Sequence, residues 1–130
     1  MYAGATPDFV DIDPQTWCMS VEKLSKKLEK HRLACKPLPK VVIPVHLSGQ
    51  SCDMKAISKL GAKYGFKIIE DSCHALGGKY KNKKIGSCFY SEISTFSFHP
   101  VKLITTGEGG LILTNNNSCL EQPQAFGLKT

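Results

Sequence analysis

Val41-Val42-Ile43-Pro44-Val45-His46, then Asp53-Met54 through Tyr64-Gly65, then Phe66-Lys67-Ile68-Ile69-Glu70-Asp71-Ser72 is the stretch on which the fold turns. The first run is apolar and reads as a strand buried on both faces, with Pro44 as its weak point because proline cannot donate to a ladder. Asp53 is placed to cap a helix whose apolar positions Met54, Ile57, Leu60 and Tyr64 recur at three- and four-residue steps. Gly65 then stands where a helix ends in the left-handed region. A second apolar run follows and leads into Glu70-Asp71-Ser72. Strand, capped helix and strand within about 30 residues form a βαβ crossover, expected to be right-handed.

The same alternation extends on both sides. Upstream, Phe9-Val10-Asp11-Ile12 reads as a short strand ended by Asp13-Pro14. Ser20 can cap a helix with Val21, Leu24 and Leu28 inside and Lys23, Lys26, Lys27 and Lys30 on its wet face, and Pro37-Leu38-Pro39 closes that unit. Downstream, Gly77-Gly78 opens a basic hairpin carrying Lys79, Lys81, Lys83 and Lys84. Ile93 to Phe98 is the next strand, followed by His99-Pro100-Val101-Lys102. Gly107-Glu108-Gly109-Gly110 makes a tight turn with positive φ before the strand Leu111 to Thr114. The expected class is therefore α/β, with a mostly parallel central sheet and flanking helices.

Composition agrees with one globular unit. Of 130 residues, 42% are hydrophobic and 22% charged, which excludes disorder, collagen and coiled coil. No apolar run approaches the roughly 20 residues of a membrane span. Met1-Tyr2-Ala3-Gly4 has neither a basic nor an apolar leader region, so the cytoplasm is the expected compartment and no membrane partner is expected. Seventeen basic and eleven acidic side chains leave +6, which suits an anionic partner. Nucleic acid is not the expected one, because single-strand readers interleave aromatics with basic residues and only Tyr80 lies inside the lysine cluster. Six cysteines, Cys18, Cys35, Cys52, Cys73, Cys88 and Cys119, stand fifteen or more residues apart with no Cys-x-x-Cys, and His31, His46, His74 and His99 show no short pairing. Reduced, mostly buried thiols and no metal site are expected.

In an open α/β sheet, ligands sit outside the carboxyl ends of the strands. Asp71 ends one predicted strand and Lys102 lies just past another. A lysine amine can form a Schiff base with a carbonyl. Pyridoxal phosphate needs both groups, a carboxylate for its ring nitrogen and a lysine for its aldehyde. An aspartate ending a strand also serves as a turn cap, and most lysines face solvent. Both readings stand at this level.

The wording of the motifs narrows them. Glu70-Asp71-Ser72-Cys73-His74-Ala75-Leu76-Gly77-Gly78, Ser94-Thr95-Phe96-Ser97-Phe98-His99-Pro100-Val101-Lys102 and Thr105-Thr106-Gly107-Glu108-Gly109-Gly110 together resemble the pyridoxal-phosphate-dependent sugar-nucleotide aminotransferases of the DegT/StrS type. Val45 to Gln50 and Tyr2 to Pro7 look like the same family in the same order, so the resemblance runs from about Tyr2 to Asn116. The branch that serves pseudaminic acid biosynthesis looks nearest.

The resemblance implies an aspartate aminotransferase-like, fold type I architecture. It matches Asp71 to the carboxylate on the pyridinium nitrogen and His74 to a residue beside the ring and its phenolic oxygen. Ser97 matches a hydroxyl on the cofactor phosphate. Lys102 matches the Schiff-base lysine, which also moves the proton between two carbons. That lysine separates aminotransferases from the family's dehydratases. His74 could otherwise be a turn residue, Ser97 a solvent-facing one and His99 purely structural, while Glu108 suits substrate contact or a structural role equally.

The implied reaction moves an amino group, expected from glutamate, to a keto carbon of a nucleotide-linked deoxysugar for surface glycan biosynthesis. The implied assembly is a homodimer. By the same comparison residues 1–116 form the central part of the cofactor-binding large domain and 117–130 a divergent polar tail. The family's preceding segment and small C-terminal domain are then absent. The alternative is a catalytically incompetent fragment that folds or assembles only with the missing segments.

Overall fold

The computed structural model describes residues 4–117. In chain order they form helix α1 (Val21–Leu33), strand β1 (Val41–Val42), helix α2 (Met54–Tyr64), strands β2 (Lys67–Asp71), β3 (Lys79–Tyr80), β4 (Lys83–Lys84), β5 (Ile93–Ser97) and β6 (Gly110–Thr114). The main sheet has the order β1-β2-β5-β6; β3 and β4 make a separate antiparallel hairpin. β1 pairs parallel to β2 and β2 parallel to β5, while β6 runs antiparallel to β5. The expected α/β class and βαβ unit are therefore present, with one antiparallel edge. The predicted polar tail lies, from residue 118 on, outside the described residues.

Both helices begin where their caps require. Ser20 Oγ accepts the Lys23 N–H at 3.3 Å, and Asp53 Oδ1 accepts the Ala56 N–H at 3.2 Å. α2 ends at Gly65 with φ 80°, a left-handed residue whose N–H returns to the Gly61 carbonyl. Leu24 and Leu28 of α1 and Met54, Ile57 and Tyr64 of α2 are buried together with Val42, Phe66 and Ile68, so both helices cover one face of the sheet. Leu60 of the predicted stripe packs only at the margin of this core.

Two strand expectations are corrected. Residues 9–12 form no strand; only Ile12 bridges, antiparallel, to Met19. The donors and acceptors there are taken by side chains: Asp8 accepts the Phe9 N–H, Asp11 the Ile12 N–H, and Lys27 donates to the Phe9 carbonyl. The run from Val41 to His46 is not buried on both faces. Its ladder covers two residues, and an isolated Val45–Asp71 bridge resumes it after Pro44. Burial alternates: Val42, Pro44 and His46 are buried, whereas Val41, Ile43 and Val45 are 43%, 52% and 41% exposed. The helices cover one face only.

The basic hairpin stands as expected, with its lysines in solvent; Lys83 Nζ lies 4.1 Å from the Phe89 ring centroid. In the glycine turn, Gly107 and Gly109 have positive φ, but Gly110 does not. Gly110 is instead required by contact, since a Cβ there would sit 2.8 Å from the Phe96 carbonyl oxygen across the β5–β6 pair. Cys18, Cys52 and Cys88 are buried free thiols, and Cys35 is exposed.

Ile57 is fully buried where α2 meets the sheet. Replacing it with alanine should lower the unfolding free energy by about 2–5 kcal/mol. Replacing Asp53 with alanine, which removes a cap, should cost about 1 kcal/mol. Urea unfolding midpoints measure both, and equal losses would contradict this assignment of core and cap.

Candidate active site

The period of two along β2 sends successive side chains to opposite faces. Ile68 and Glu70 face the helices; Lys67, Ile69 and Asp71 face the open side. Register carries that face across the sheet. Asp71 pairs with Thr95 and Val45, and Thr95 pairs with Ile112, so these residues share the open face. Ser97 follows Thr95 by two residues and lies on it as well. Asp71 and Ser97 therefore stand on one face, at the carboxyl edge of neighbouring parallel strands.

The loop after β2 is shaped by consecutive turns. Ser72 N–H reaches the Thr95 carbonyl at 2.9 Å, and Ala75 N–H reaches the Ser72 carbonyl at 2.9 Å. Asp71 Oδ1 accepts the Cys73 N–H at 3.1 Å. His74 is exposed, and its Nδ1 accepts the Ser48 N–H at 3.3 Å. An Nδ1 that accepts leaves the ring proton on Nε2, which is then a donor. Ser48 has φ 52°, and a Cβ on Gly49 would lie 3.2 Å from the His74 carbonyl oxygen. The Leu47–Gly49 turn thus closes directly on His74.

The segment beyond β5 is tied at its base by Phe98 N–H to the Gly109 carbonyl at 2.8 Å and Thr106 N–H to the Phe98 carbonyl at 3.0 Å. Ser97 Oγ accepts the His99 N–H at 3.4 Å, and Lys102 N–H closes a turn on the His99 carbonyl at 2.9 Å. Lys102 is half-buried, and among the described residues no carboxylate forms an ion pair with it. Its charge is nonetheless felt across the site. The Cys73 thiol is pushed up to about 11 by burial and by the Asp71 carboxylate, and the Lys102 ammonium acts on it in the opposite direction. Glu108 is exposed, with its carbonyl accepting from Thr106 Oγ1 at 2.8 Å.

The donor set suits an anionic, aromatic, carbonyl-bearing ligand. A carboxylate, an imidazole N–H, a hydroxyl and an ammonium sit on one open face and its bordering loops. Among the described residues no cluster of three or more His, Cys, Asp or Glu could hold a metal ion. Sequence reasoning assigned no role to a second group, the His46–Glu70 pair at 2.9 Å, buried on the helix side directly behind Asp71. The signal was available: an acid next to Asp71 falls at a core position of the alternation, and a buried acid needs a partner.

Residues 1–129 match the DegT/DnrJ/EryC1/StrS aminotransferase family. The chain is 42% identical over 121 residues to a GDP-perosamine synthase of Escherichia coli O157:H7, covering 93% of this chain and 31% of the relative. Helicobacter pylori PseC, described as an aminotransferase involved in the biosynthesis of pseudoaminic acid, superimposes with TM-score 0.78 at 32% identity, over 92% of this chain and 30% of that one. NtdA from Bacillus subtilis, solved with bound cofactor PMP, gives TM-score 0.70 at 34% identity, over 89% and 24%. The chain thus spans between 24% and 31% of the length of these three proteins.

Alkylation of Cys73 in alkaline buffer tests the charge arrangement. Burial is the larger cause that holds the thiol proton; Asp71→Asn removes the carboxylate that adds to it and should speed the reaction, while Lys102→Met removes the opposing charge and should slow it. Peptide-resolved iodoacetamide labelling reads both, and equal rates in the two variants would separate the three residues.

Proposed function

The chain belongs to the DegT/DnrJ/EryC1/StrS aminotransferase family, and from that membership we propose that its open-face site serves amino transfer to the keto carbon of a nucleotide-linked deoxysugar. Pyridoxal 5′-phosphate is the proposed cofactor, glutamate the donor, and surface glycans, pseudaminic acid among them, the destination. The observation that carries the reading is convergence. Asp71 and Ser97 share one face and one edge, and Lys102 follows in the loop that leaves β5 at that edge.

When bound, the cofactor supplies an electron-withdrawing ring that stabilises negative charge beside the transferred amine. The chain's own residues have separate tasks. Asp71 accepts the ring N–H and keeps that nitrogen positively charged. His74, its proton held on Nε2 by the Ser48 N–H, donates toward the phenolic oxygen. The Ser97 hydroxyl donates to a phosphate oxygen. Lys102 Nζ is the amine for the aldehyde carbon and the base that takes and returns the proton. Cytoplasm is the proposed compartment, in keeping with the free thiols of Cys18, Cys52, Cys73 and Cys88. No helix among the described residues is long and apolar enough to cross a membrane.

A second reading has its own observation. Val41, Ile43, Val45 and Ile112, which is 63% exposed, form an uncovered apolar strip beside Asp71 on the open face. Parallel strands are normally covered on both sides. The site would then work only within a longer polypeptide or an assembly, the family homodimer included, and the isolated 130 residues would be inactive. Sedimentation and melting with and without cofactor separate the two; an active, cofactor-stabilised monomer overturns the second.

Incubation with pyridoxal phosphate followed by borohydride should fix one cofactor on Lys102, read by peptide mass, and Lys102→Ala should abolish it. Asp71→Asn should weaken binding on the order of tenfold or more through loss of a charge-assisted hydrogen bond. Labelling spread over Lys79, Lys81, Lys83 and Lys84 instead of Lys102 would remove the proposal.

A further inference from the structure

Glu70 is 5% exposed and His46 is not exposed at all, and among the described residues they are the only buried members of the Asp, Glu, His, Lys and Arg set. Such a pair stabilises a fold poorly compared with apolar side chains of the same volume. Its geometry indicates another use. His46 Nδ1 accepts the Cys52 N–H at 3.2 Å, which fixes the ring proton on Nε2, and Nε2 donates to Glu70 Oε2 at 2.9 Å. Glu70 Oε1 accepts the Ser91 hydroxyl, and the Glu70 carbonyl accepts Thr95 Oγ1 at 3.3 Å. Three segments, the approach to α2, the end of β2 and the approach to β5, are drawn together on one carboxylate.

That carboxylate sits one residue before Asp71. The His46 backbone N–H donates to the Asp71 carbonyl at 3.0 Å, and the Asp71 N–H donates to the Pro44 carbonyl at 3.0 Å. Regular pairing of β1 with β2 stops at Val42, and Pro44 has no N–H to continue it. On its β1 side the strand end that presents Asp71 is therefore held by two backbone hydrogen bonds. The His46 side chain bonds Glu70 on the helix side, behind those two.

We propose that His46 and Glu70 are positioning residues for Asp71, a latch on the helix side of the sheet that fixes where the carboxylate meets its ligand on the open side. The purpose rests on the cofactor reading above; the latch itself does not. A slack strand end moves the Asp71 carboxylate away from the ring nitrogen, and small displacements of a positioned group cost binding and rate steeply.

Two measurements on the 130-residue chain test this. Without cofactor, amide hydrogen exchange by NMR should rise on the order of tenfold at His46 and Asp71 in Glu70→Gln, beyond any change in α1 amides. Ile57→Val, a core change that removes no hydrogen bond of the latch, should leave the ratio of those amides to α1 unchanged. With cofactor, Glu70→Gln and His46→Leu should weaken pyridoxal phosphate binding by about tenfold, as outer-layer partners of bound groups do. His46→Gln, which keeps a donor toward Glu70, should recover part of it, and Ile57→Val should change nothing. Unchanged exchange at His46 and Asp71 overturns the latch. Faster exchange with cofactor affinity equal to wild type overturns its positioning role. If the wild-type chain binds no cofactor, the function proposed above falls, and the exchange measurement alone decides whether Asp71 is latched.

Discussion

Two carboxylates in succession at the end of a strand must point to opposite sides, and everything around β2 follows from accommodating both. Glu70 goes inward, where it would be intolerable alone, and is met by His46 Nε2 and the Ser91 hydroxyl. Asp71 goes outward, to the edge where the βαβ unit opens. Neither His46 nor Ser91 is near Glu70 in sequence. The chain must bring 24 and 21 residues of separation back to one point, and the parallel sheet does that. Burial of one acid and presentation of the other are thus a single structural event.

The sheet has one finished face and one unfinished face. α1 and α2 close the first over Val42, Ile68 and Phe66, with no buried side-chain polar atom left without a partner among the described residues. The second carries Asp71, Thr95 and Ser97 within a field of exposed Val41, Ile43, Val45 and Ile112. Polar groups set in an apolar surface suit a flat aromatic ligand with an anionic end. They equally suit coverage by more polypeptide, and relatives about three times as long share this architecture. The loops bordering the face are stiffened by backbone bonds and by the left-handed Ser48, which fixes the His74 tautomer.

Much of this was legible beforehand. Caps at Ser20 and Asp53, the stop at Gly65, the hairpin of Lys79 to Lys84 and the strands around Ile93 and Ile112 rest on local rules that the structure obeys. The strand reading of residues 9–12 failed because a β-ladder needs a neighbour, and side chains of Asp8, Asp11 and Lys27 took the backbone groups instead. The run from Val41 to His46 was read as doubly buried because its residues are apolar. Apolarity reports what a residue favours and is silent on whether anything arrives to cover it.

From sequence alone came the alternation of strand and helix, the α/β class and the motifs by which Asp71, His74, Ser97 and Lys102 were singled out, since each is written in nearest-neighbour order and period. Only the folded chain decided that Asp71 and Ser97 share a face, that Cys73 feels both Asp71 and Lys102, and that His46 and Glu70 meet behind them. Register and burial are relations between segments distant along the chain, and no local pattern contains them.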